Sequence, residues 1–326
     1  MKEQGFQLGL FGDAFHGENQ QLPEVAKPSN YSVVWSFSRR NTLETCPRKY
    51  YYQYYGSKQE KRGSPKELDS IRFLKMLSNQ HLVSGKIVHS LIRLYLTKAQ
   101  EGTKYTLDFL KKMARDKVTQ SIAFTENYQQ GDEKKHQYPP YLLQEVFEGR
   151  ENYGALYQEV AEKTSKLLDN FYQSEIIKPF AEAGEKPAAF AEKKFKLPLN
   201  EYSKVSGEVD LAFWEDRHFV ICDWKTGKVD DGDDSMQLLT YTWWAMEEQK
   251  APLDKIKLYK AYLLENEIKE FGLTERDFYQ NKIAIRQSAD AMLEMAEFGE
   301  EGDYAAFTPC RQPKICALCP FQKICQ

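Results

Sequence analysis

A short apolar run that ends in charged residues, Ile221-Cys222-Asp223-Trp224-Lys225-Thr226-Gly227, constrains this chain more than any other feature. The apolar residues predict a buried strand, and a strand directs alternate side chains to the same face. Asp223 and Lys225 are therefore expected to point the same way. A carboxylate can hold a divalent cation there while the neighbouring lysine orients a water molecule, as phosphodiester hydrolysis requires. An ordinary surface ion pair is the alternative interpretation.

A second carboxylate precedes this run in Gly207-Glu208-Val209-Asp210, which begins another strand-like segment. The two segments are predicted to pair as a hairpin around a turn near Glu215-Asp216. That pairing would bring Asp210 to Asp223, so that two carboxylates face one cation.

Two predicted helices carry further polar side chains in a suggestive order. Gln237 and Tyr241 are four residues apart on a helix that follows the strands, so they share a face. Far upstream, His89 lies four residues after Gly85 on an apolar helix. Each has a simpler interpretation, since a lone histidine on an apolar helix is usually a core residue, and glutamine and tyrosine often only pack.

Taken in order, these motifs resemble the PD-(D/E)XK nuclease superfamily, and within it the RecB-like branch. That branch carries Gly-x-x-x-His, Gly-x-x-Asp, Asp-x-Lys-Thr-Gly and Gln-x-x-x-Tyr, and the similarity covers the chain from about Ser36 to Gln326. The resemblance implies an α/β fold with a restriction-endonuclease-like core, in which helices flank a mixed sheet, and a large helical insertion. It also implies metal-dependent hydrolysis of DNA.

The resemblance assigns roles to particular residues. The implied metal ligands are His89, Asp210, Asp223 and the main-chain carbonyl of Trp224. The implied catalytic residues are Asp210, Asp223, Lys225, Gln237 and Tyr241. Glu192 resembles the acidic residue that the branch often has on the first strand of its sheet. Mg²⁺ or Mn²⁺ is the expected cation, because oxygen ligands with one imidazole suit hard cations.

The cysteines predict a second metal centre. Four of the six lie near the carboxyl end, at Cys310, Cys316, Cys319 and Cys325, and Cys46 stands far upstream in a Cys-Pro-Arg-Lys-Tyr sequence. Thiolates at such spacings can converge on zinc or an iron-sulfur cluster. Disulfides are the competing interpretation, and the lack of a secretory signal or an apolar span argues for a reducing cytoplasm instead. Cys222, inside the apolar strand, is predicted to pack as a small hydrophobe.

Several RecB-like nucleases, including AddB-type subunits and the CRISPR adaptation nuclease, bind a 4Fe-4S cluster through one cysteine before the nuclease core and three after it. That likeness implies Cys46, Cys316, Cys319 and Cys325 as cluster ligands. Zinc remains the alternative metal, and Cys310 remains the alternative to Cys46.

Charge is uneven along the chain. The formal net charge is −3, which excludes a uniformly basic nucleic-acid binder. Arg39 to Lys66 is nevertheless strongly basic and contains Tyr50, Tyr51, Tyr52, Tyr54 and Tyr55. Such a segment can follow a phosphate backbone and stack on unpaired bases. Alternatively, the tyrosines pack beneath the basic side chains.

The predicted organisation is a poorly ordered arm over residues 1–30 and a nuclease domain over 31–326. Within that domain, 68–180 is helical, 188–264 contains the sheet and the Gln237 helix, and 307–326 joins Cys46 in the cluster region. Long helices are predicted for Tyr153 to Ile177 and Thr274 to Phe298, and a further strand for Lys255 to Leu264.

The predicted function is therefore a cytoplasmic metal-dependent DNA nuclease, acting as an exonuclease on single strands or frayed ends. No Gly-x-x-x-x-Gly-Lys-Ser/Thr motif occurs, so any helicase activity would come from a protein partner. A catalytically weak DNA-binding scaffold and a zinc-stabilised binding module are the alternatives. Repair, CRISPR adaptation and antiviral defence all remain open as pathways.

Overall fold

The computed structural model describes residues 30–59, 70–129, 132–135, 139–181, 187–229 and 235–325. Residues 1–29 lie outside this range, so the predicted N-terminal arm stays a prediction. The strands are β1 (Val33–Trp35), β2 (Leu77–Ser78), β3 (Leu142–Leu143), β4 (Ala189–Pro198), β5 (Ser203–Glu215), β6 (His218–Lys225), β7 (Ile256–Tyr262) and β8 (Glu267–Phe271).

Helices occupy most of the remaining described chain. The α-helices are α1 (Phe37–Thr45), α2 (Pro47–Tyr51), α3 (Ser57–Gln59), α4 (Ile71–Leu74), α5 (Gln80–Gln100), α6 (Leu107–Glu126), α7 (Gln144–Phe147), α8 (Tyr153–Gln173), α9 (Lys178–Ala181), α10 (Ser235–Glu248), α11 (Glu275–Glu301) and α12 (Pro313–Cys316). A π-helical turn, Tyr52–Gly56, connects α2 to α3. In the described residues, no helix combines the length and apolar character needed to cross a membrane.

The main sheet is mixed and forks near its centre. β5 pairs antiparallel with β4 over most of its length, parallel with β1 at its start, and antiparallel with β6 at its end. The β5–β6 pairing stops at Leu211 and Cys222, and the rest of β6 continues only alongside β7. The part of β5 that carries Asp210 and the end of β6 that carries Asp223 therefore diverge, which opens a space between them.

Helices cover both faces of the sheet. Val220 and Cys222 belong to a core shared with α5, α6 and α8. Their neighbour on the opposite face, Phe219, packs its ring against Trp244 of α10 at 5.9 Å between centroids. Both faces of β6 are thus buried, as expected for a central strand that is apolar almost throughout. The predicted α/β class, with a mixed sheet flanked by helices, is confirmed.

Several predicted elements differ in extent from the structure. The hairpin turn falls at the expected place, with Glu215 opposite His218. The helix predicted for Tyr153 to Ile177 ends at Gln173, because Ser174 adopts an extended conformation. The chain becomes α-helical again in α9. Pro179 lies in the first turn of α9, where a backbone N–H would have no partner within the helix. The sequence does not predict strands β1 and β8, because segments of three to five residues are too short to show the alternation of apolar and polar residues that indicates a strand.

Candidate functional site

The forked end of the sheet opens into a cavity of about 750 Å³. Asp210 and Asp223 both line it. Asp210 Oδ2 accepts a hydrogen bond of 2.8 Å from the main-chain N–H of Trp224, just beyond the last β5–β6 pair. One carboxylate oxygen thus replaces the sheet hydrogen bond that the fork interrupts, which fixes Asp210 beside β6.

Asp223 is a buried carboxylate whose charge is only partly satisfied. Its side chain is 3% exposed, and Lys225 Nζ lies 2.9 Å from Oδ2. That contact lacks hydrogen-bond geometry, so Oδ2 is buried without a hydrogen bond. Burial and the negative charge of Asp210 raise the pKa of Asp223 to about 6, against the opposing effect of Lys225. The alternative interpretation, an ordinary surface ion pair, is therefore wrong for Asp223, because its carboxylate is inside the protein.

His89 reaches this site from α5. Its Nδ1 lies 3.3 Å from Asp210 Oδ1. Burial is the largest single effect and lowers the pKa of His89. The charge and the hydrogen bond of Asp210, together with the charges of Asp223 and Glu192, outweigh burial and raise the pKa to about 9. Gly85, one turn earlier, allows the close approach of α5, since a Cβ there would lie 3.2 Å from Thr226 Oγ1. The Gly-x-x-x-His spacing thus has a packing reason as well as a chemical one.

A hydrogen-bonded chain continues from the lysine into α10. Lys225 Nζ donates to Gln237 Oε1 at 2.8 Å, and Gln237 Nε2 donates to the hydroxyl of Tyr241 at 2.8 Å. Burial raises the pKa of Tyr241 well above its usual value, so this hydroxyl stays neutral. The amide of Gln237 is therefore fixed in orientation, and it directs its oxygen at the lysine.

Glu192 also lines the cavity, on β4. Its φ of +47° is unusual for a residue other than glycine. Arg93 of α5 lies 3.1 Å from its carboxylate. Burial raises the pKa of Glu192, while Arg93 opposes that rise. Glu192 thus shares a cavity with Asp210 and Asp223 but forms an ion pair with Arg93.

The donors suit a hard divalent cation in type. In the described ranges, no group of three or more His, Cys, Asp or Glu side chains is already arranged to hold a metal ion. Asp223, Asp210 and His89 nevertheless line one cavity, and His89 Nδ1 lies 3.3 Å from Asp210 Oδ1. Two carboxylates and one imidazole in one cavity match the ligand preference of Mg²⁺ or Mn²⁺. In chemical type, His89, Asp210 and Asp223 therefore fit the Mg²⁺ or Mn²⁺ ion that the resemblance implies.

A second cavity, of about 440 Å³, contains sulfur instead of oxygen ligands. All five candidate thiols line it: Cys46, Cys310, Cys316, Cys319 and Cys325. All six cysteines of the chain are free thiols, and no disulfide joins them. Burial raises the pKa of Cys319 to about 11 and also raises that of Cys325. Thiolates favour soft metals, so this donor set fits zinc or an iron-sulfur cluster.

The two distant parts of the chain that supply these thiols are also joined by hydrogen bonds. Arg48 Nε donates to the carbonyl of Phe307 at 2.7 Å, and the hydroxyl of Tyr52 donates to the carbonyl of Ile324 at 3.1 Å. Cys46 lies between α1 and α2. It caps the start of α2, with Sγ accepting the N–H of Lys49.

The prediction that the tyrosine-rich segment stacks on nucleic-acid bases is wrong for most of its members. Tyr50, Tyr51, Tyr52 and Tyr55 are each at most 6% exposed. Their rings pack on one another and on Phe307, and Tyr54 lies beneath the guanidinium of Arg39 at 4.2 Å. The tyrosines therefore hold the carboxyl-terminal tail in place. Lys61, Arg62 and Lys66 lie outside the described residues.

Some cavity residues were not anticipated from the sequence. Lys86 and Arg93 line the cavity from the same helix as His89, and Tyr141 lines it from the helical insertion. The two basic residues stand three before and four after His89, so helical spacing could have identified them. No pattern in the sequence could have brought Tyr141 there.

Comparison with known proteins agrees with this geometry. Residues 34–326 match the family profile of the PD-(D/E)XK nuclease superfamily, which covers nearly all of the described chain. No curated protein matches the sequence significantly. Members of this superfamily are metal-dependent nucleases. The chain belongs to the PD-(D/E)XK nuclease superfamily.

Proposed function

We propose that this protein is a RecB-like DNA nuclease that requires Mg²⁺ or Mn²⁺ and acts on single strands or frayed ends. One observation carries the proposal: the buried carboxylate of Asp223 lies 2.9 Å from Lys225 Nζ, in the same cavity as Asp210 and His89. The charge of Asp210 raises the pKa of Asp223, so two carboxylates that repel each other share this cavity, and a bound divalent cation would offset that repulsion.

In this proposal His89, Asp210, Asp223 and the Trp224 carbonyl hold the cation. When bound, the cation activates water and offsets charge on the scissile phosphate. Lys225 donates a hydrogen bond to the attacking water through Nζ. Gln237 holds that ammonium in place, and Tyr241 fixes the orientation of Gln237.

The cavity also supports the choice of substrate. Its volume of about 750 Å³ is comparable to that of a site for one small ligand, which favours an extended single strand over a whole duplex at the proposed metal site. We also propose exonuclease action at single-stranded ends. A partner that opens duplex DNA would extend the range of substrates.

We further propose a 4Fe-4S cluster held by Cys46, Cys316, Cys319 and Cys325. Five thiols lining one cavity support a soft-metal centre. Their location in a cytoplasmic protein would keep them reduced. The cluster would reinforce the contact between α2 and the carboxyl-terminal tail. Zinc in place of iron is the alternative outcome of metal analysis.

The test is cleavage of end-labelled single-stranded, blunt duplex and closed circular duplex DNA by the purified protein, with Mn²⁺, Mg²⁺ or EDTA. We expect cation-dependent cleavage of the single strand and little cleavage of the closed circle. Equal cleavage of the single strand and the closed circle would contradict the proposed preference for single strands or frayed ends. Binding without cleavage under all conditions would favour the scaffold alternative.

A further inference from the structure

Helix α5 presents a continuous row of side chains to the active-site cavity. Leu82, Lys86, His89 and Arg93 follow one another at intervals of four, three and four residues, and all four line the cavity. Residues at these intervals share one face of a helix. His89 is a proposed metal ligand and Arg93 pairs with Glu192, so Leu82 and Lys86 have no role in the chemistry described above.

Lys86 lines the cavity and carries a positive charge that has no acidic partner among the described residues. Its Nζ donates to Ser78 Oγ at 2.7 Å and lies 5.8 Å from the ring centroid of Tyr141. In the described part of the chain, no carboxylate forms an ion pair with it, although several carboxylates line the same cavity. Surrounding protein atoms lower the pKa of Lys86, as expected for a cation that lacks a counter-charge. An anionic ligand would supply one.

Leu82 is an exposed apolar side chain that lines the cavity. It is 51% exposed, more than almost any other large apolar residue described, and Phe37 of α1 lines the same cavity. Leu82 precedes His89 by seven residues, so the two residues are about 10 Å apart along the helix axis. Stacked nucleotides are about 3.4 Å apart along a strand, so this distance corresponds to about three nucleotides.

We propose that Lys86, Leu82 and Phe37 form a nucleotide subsite on one side of the metal site. Lys86 binds a backbone phosphate next to the scissile one, and Leu82 and Phe37 contact an unpaired base about three nucleotides away. The subsite rests on the proposed nuclease function and specifies how its substrate lies along α5. A base inside a duplex can offer its face to Leu82 only after it has been unstacked, which costs free energy, so the subsite also favours unpaired nucleotides.

Binding of a fluorescent single-stranded oligonucleotide, with Ca²⁺ in place of Mn²⁺, tests the role of Lys86. Lys86→Gln should weaken binding and reduce the slope of log Kd against log salt by about 0.7, because one phosphate contact is lost. Lys86→Arg should restore the slope. Lys98→Gln is the matched control, since Lys98 lies on the same helix and pairs with Glu101 outside the cavity. Equal slopes for Lys86→Gln and Lys98→Gln would overturn the phosphate contact.

Single-turnover cleavage of strands with one abasic position tests the role of Leu82. Leu82→Ala should reduce cleavage of an intact strand about fivefold, the loss expected for half of a leucine side chain. An abasic position about three nucleotides from the cut should have a similar effect in the parent and no further effect in Leu82→Ala. Phe109→Ala, an exposed apolar control on α6, should match the parent. If every abasic position reduced cleavage by Leu82→Ala as much as it reduces cleavage by the parent, the proposed base contact would be overturned.

Failure of the subsite and failure of the nuclease function give different results. A parent protein that neither binds nor cuts single-stranded DNA would overturn the nuclease function and the subsite together. A parent that cuts DNA with Mn²⁺, but whose Lys86 and Leu82 variants behave as their controls do, would overturn the subsite alone.

Discussion

Asp210 and Trp224 are linked by a hydrogen bond from a main-chain N–H to a carboxylate, 2.8 Å long, across the point where β5 and β6 separate. The bond occupies one oxygen of Asp210 and leaves the other 3.3 Å from His89. The fork in the sheet therefore does two things at once: it opens the cavity and it orients a carboxylate within it.

The first prediction is that Asp223→Asn and Lys225→Gln each reduce cleavage by more than about 100-fold while DNA binding is retained. Asparagine has the size of aspartate but lacks the charge that holds a cation, and glutamine cannot donate as an ammonium does. Cleavage of an end-labelled single strand and fluorescence anisotropy measure the two effects separately.

Asp254 and Lys255 supply the matched control for that experiment. They form an exposed ion pair outside the cavity, and such pairs contribute little to stability. Asp254→Asn and Lys255→Gln should cleave as the parent does. Near-parent cleavage by Asp223→Asn would instead remove Asp223 from the active site.

The second prediction concerns proton release when the cation binds. The pKa of His89 is about 9, so its imidazole is protonated at neutral pH and must lose about one proton to become a metal ligand. Asp223, with a pKa of about 6, is already largely ionised at that pH. Affinity for Mn²⁺ should therefore increase as the pH rises from neutral towards the pKa of His89.

Calorimetric titration with Mn²⁺ in buffers of different ionisation enthalpy counts the protons released. His89→Ala should release about one proton fewer and should bind Mn²⁺ with a weaker dependence on pH in this range. His218, a partly exposed histidine at the start of β6, provides the control His218→Ala. Identical proton counts for the parent and His89→Ala would show that the imidazole does not bind the cation.

The third prediction is that Gly207→Ala destabilises the fold by about 1–3 kcal/mol, as overpacking of a core usually does. A Cβ at Gly207 would lie 2.6 Å from two ring carbons of Phe195. That ring already stacks on Trp244 at 5.9 Å and has little room to move. Urea denaturation gives the free energy of unfolding.

Gly154→Ala is the control for the glycine substitution. Gly154 lies in the first turn of α8, where a Cβ would have no other atom within 4 Å, and alanine favours a helix. Its free energy of unfolding should stay unchanged or increase by up to about 1 kcal/mol. A Gly207→Ala protein as stable as the parent would show that Phe195 can shift freely.

The sequence predicted the central hairpin well because its cues are local. A continuous apolar run defines β6, and the turn before it is short, so the register that directs Asp210 towards Asp223 follows from the pattern. The fork was beyond such reasoning, because it results from β1 and β6 pairing with different parts of β5, and β1 is only three residues long.

The tyrosine-rich segment shows the limit of composition as a guide. Its basic residues and aromatic rings suggested a surface for nucleic acid, and the sequence offered packing as an equal alternative. The deciding contacts are with Phe307 and the carbonyl of Ile324, more than 250 residues away along the chain. Local patterns carry no information about such long-range partners.

The last prediction identifies the fourth cluster ligand by replacing single cysteines with serine. Serine is a good N-cap, so Cys46→Ser should retain the cap of α2 and remove only the sulfur. We therefore expect Cys46→Ser to lose iron and sulfide and to lower the midpoint of thermal unfolding, because the link between α2 and the tail is weakened. Cys310→Ser should keep both metal content and stability, and Cys222→Ser, in the buried strand, controls for loss of a thiol outside that cavity.

Loss of iron from Cys310→Ser, but not from Cys46→Ser, would transfer the ligand to Cys310. If all samples contain zinc and no iron, the centre is a zinc site and the cluster proposal is wrong. If Cys46→Ser lacks iron and Cys310→Ser retains it, the cluster joins the two ends of the nuclease domain.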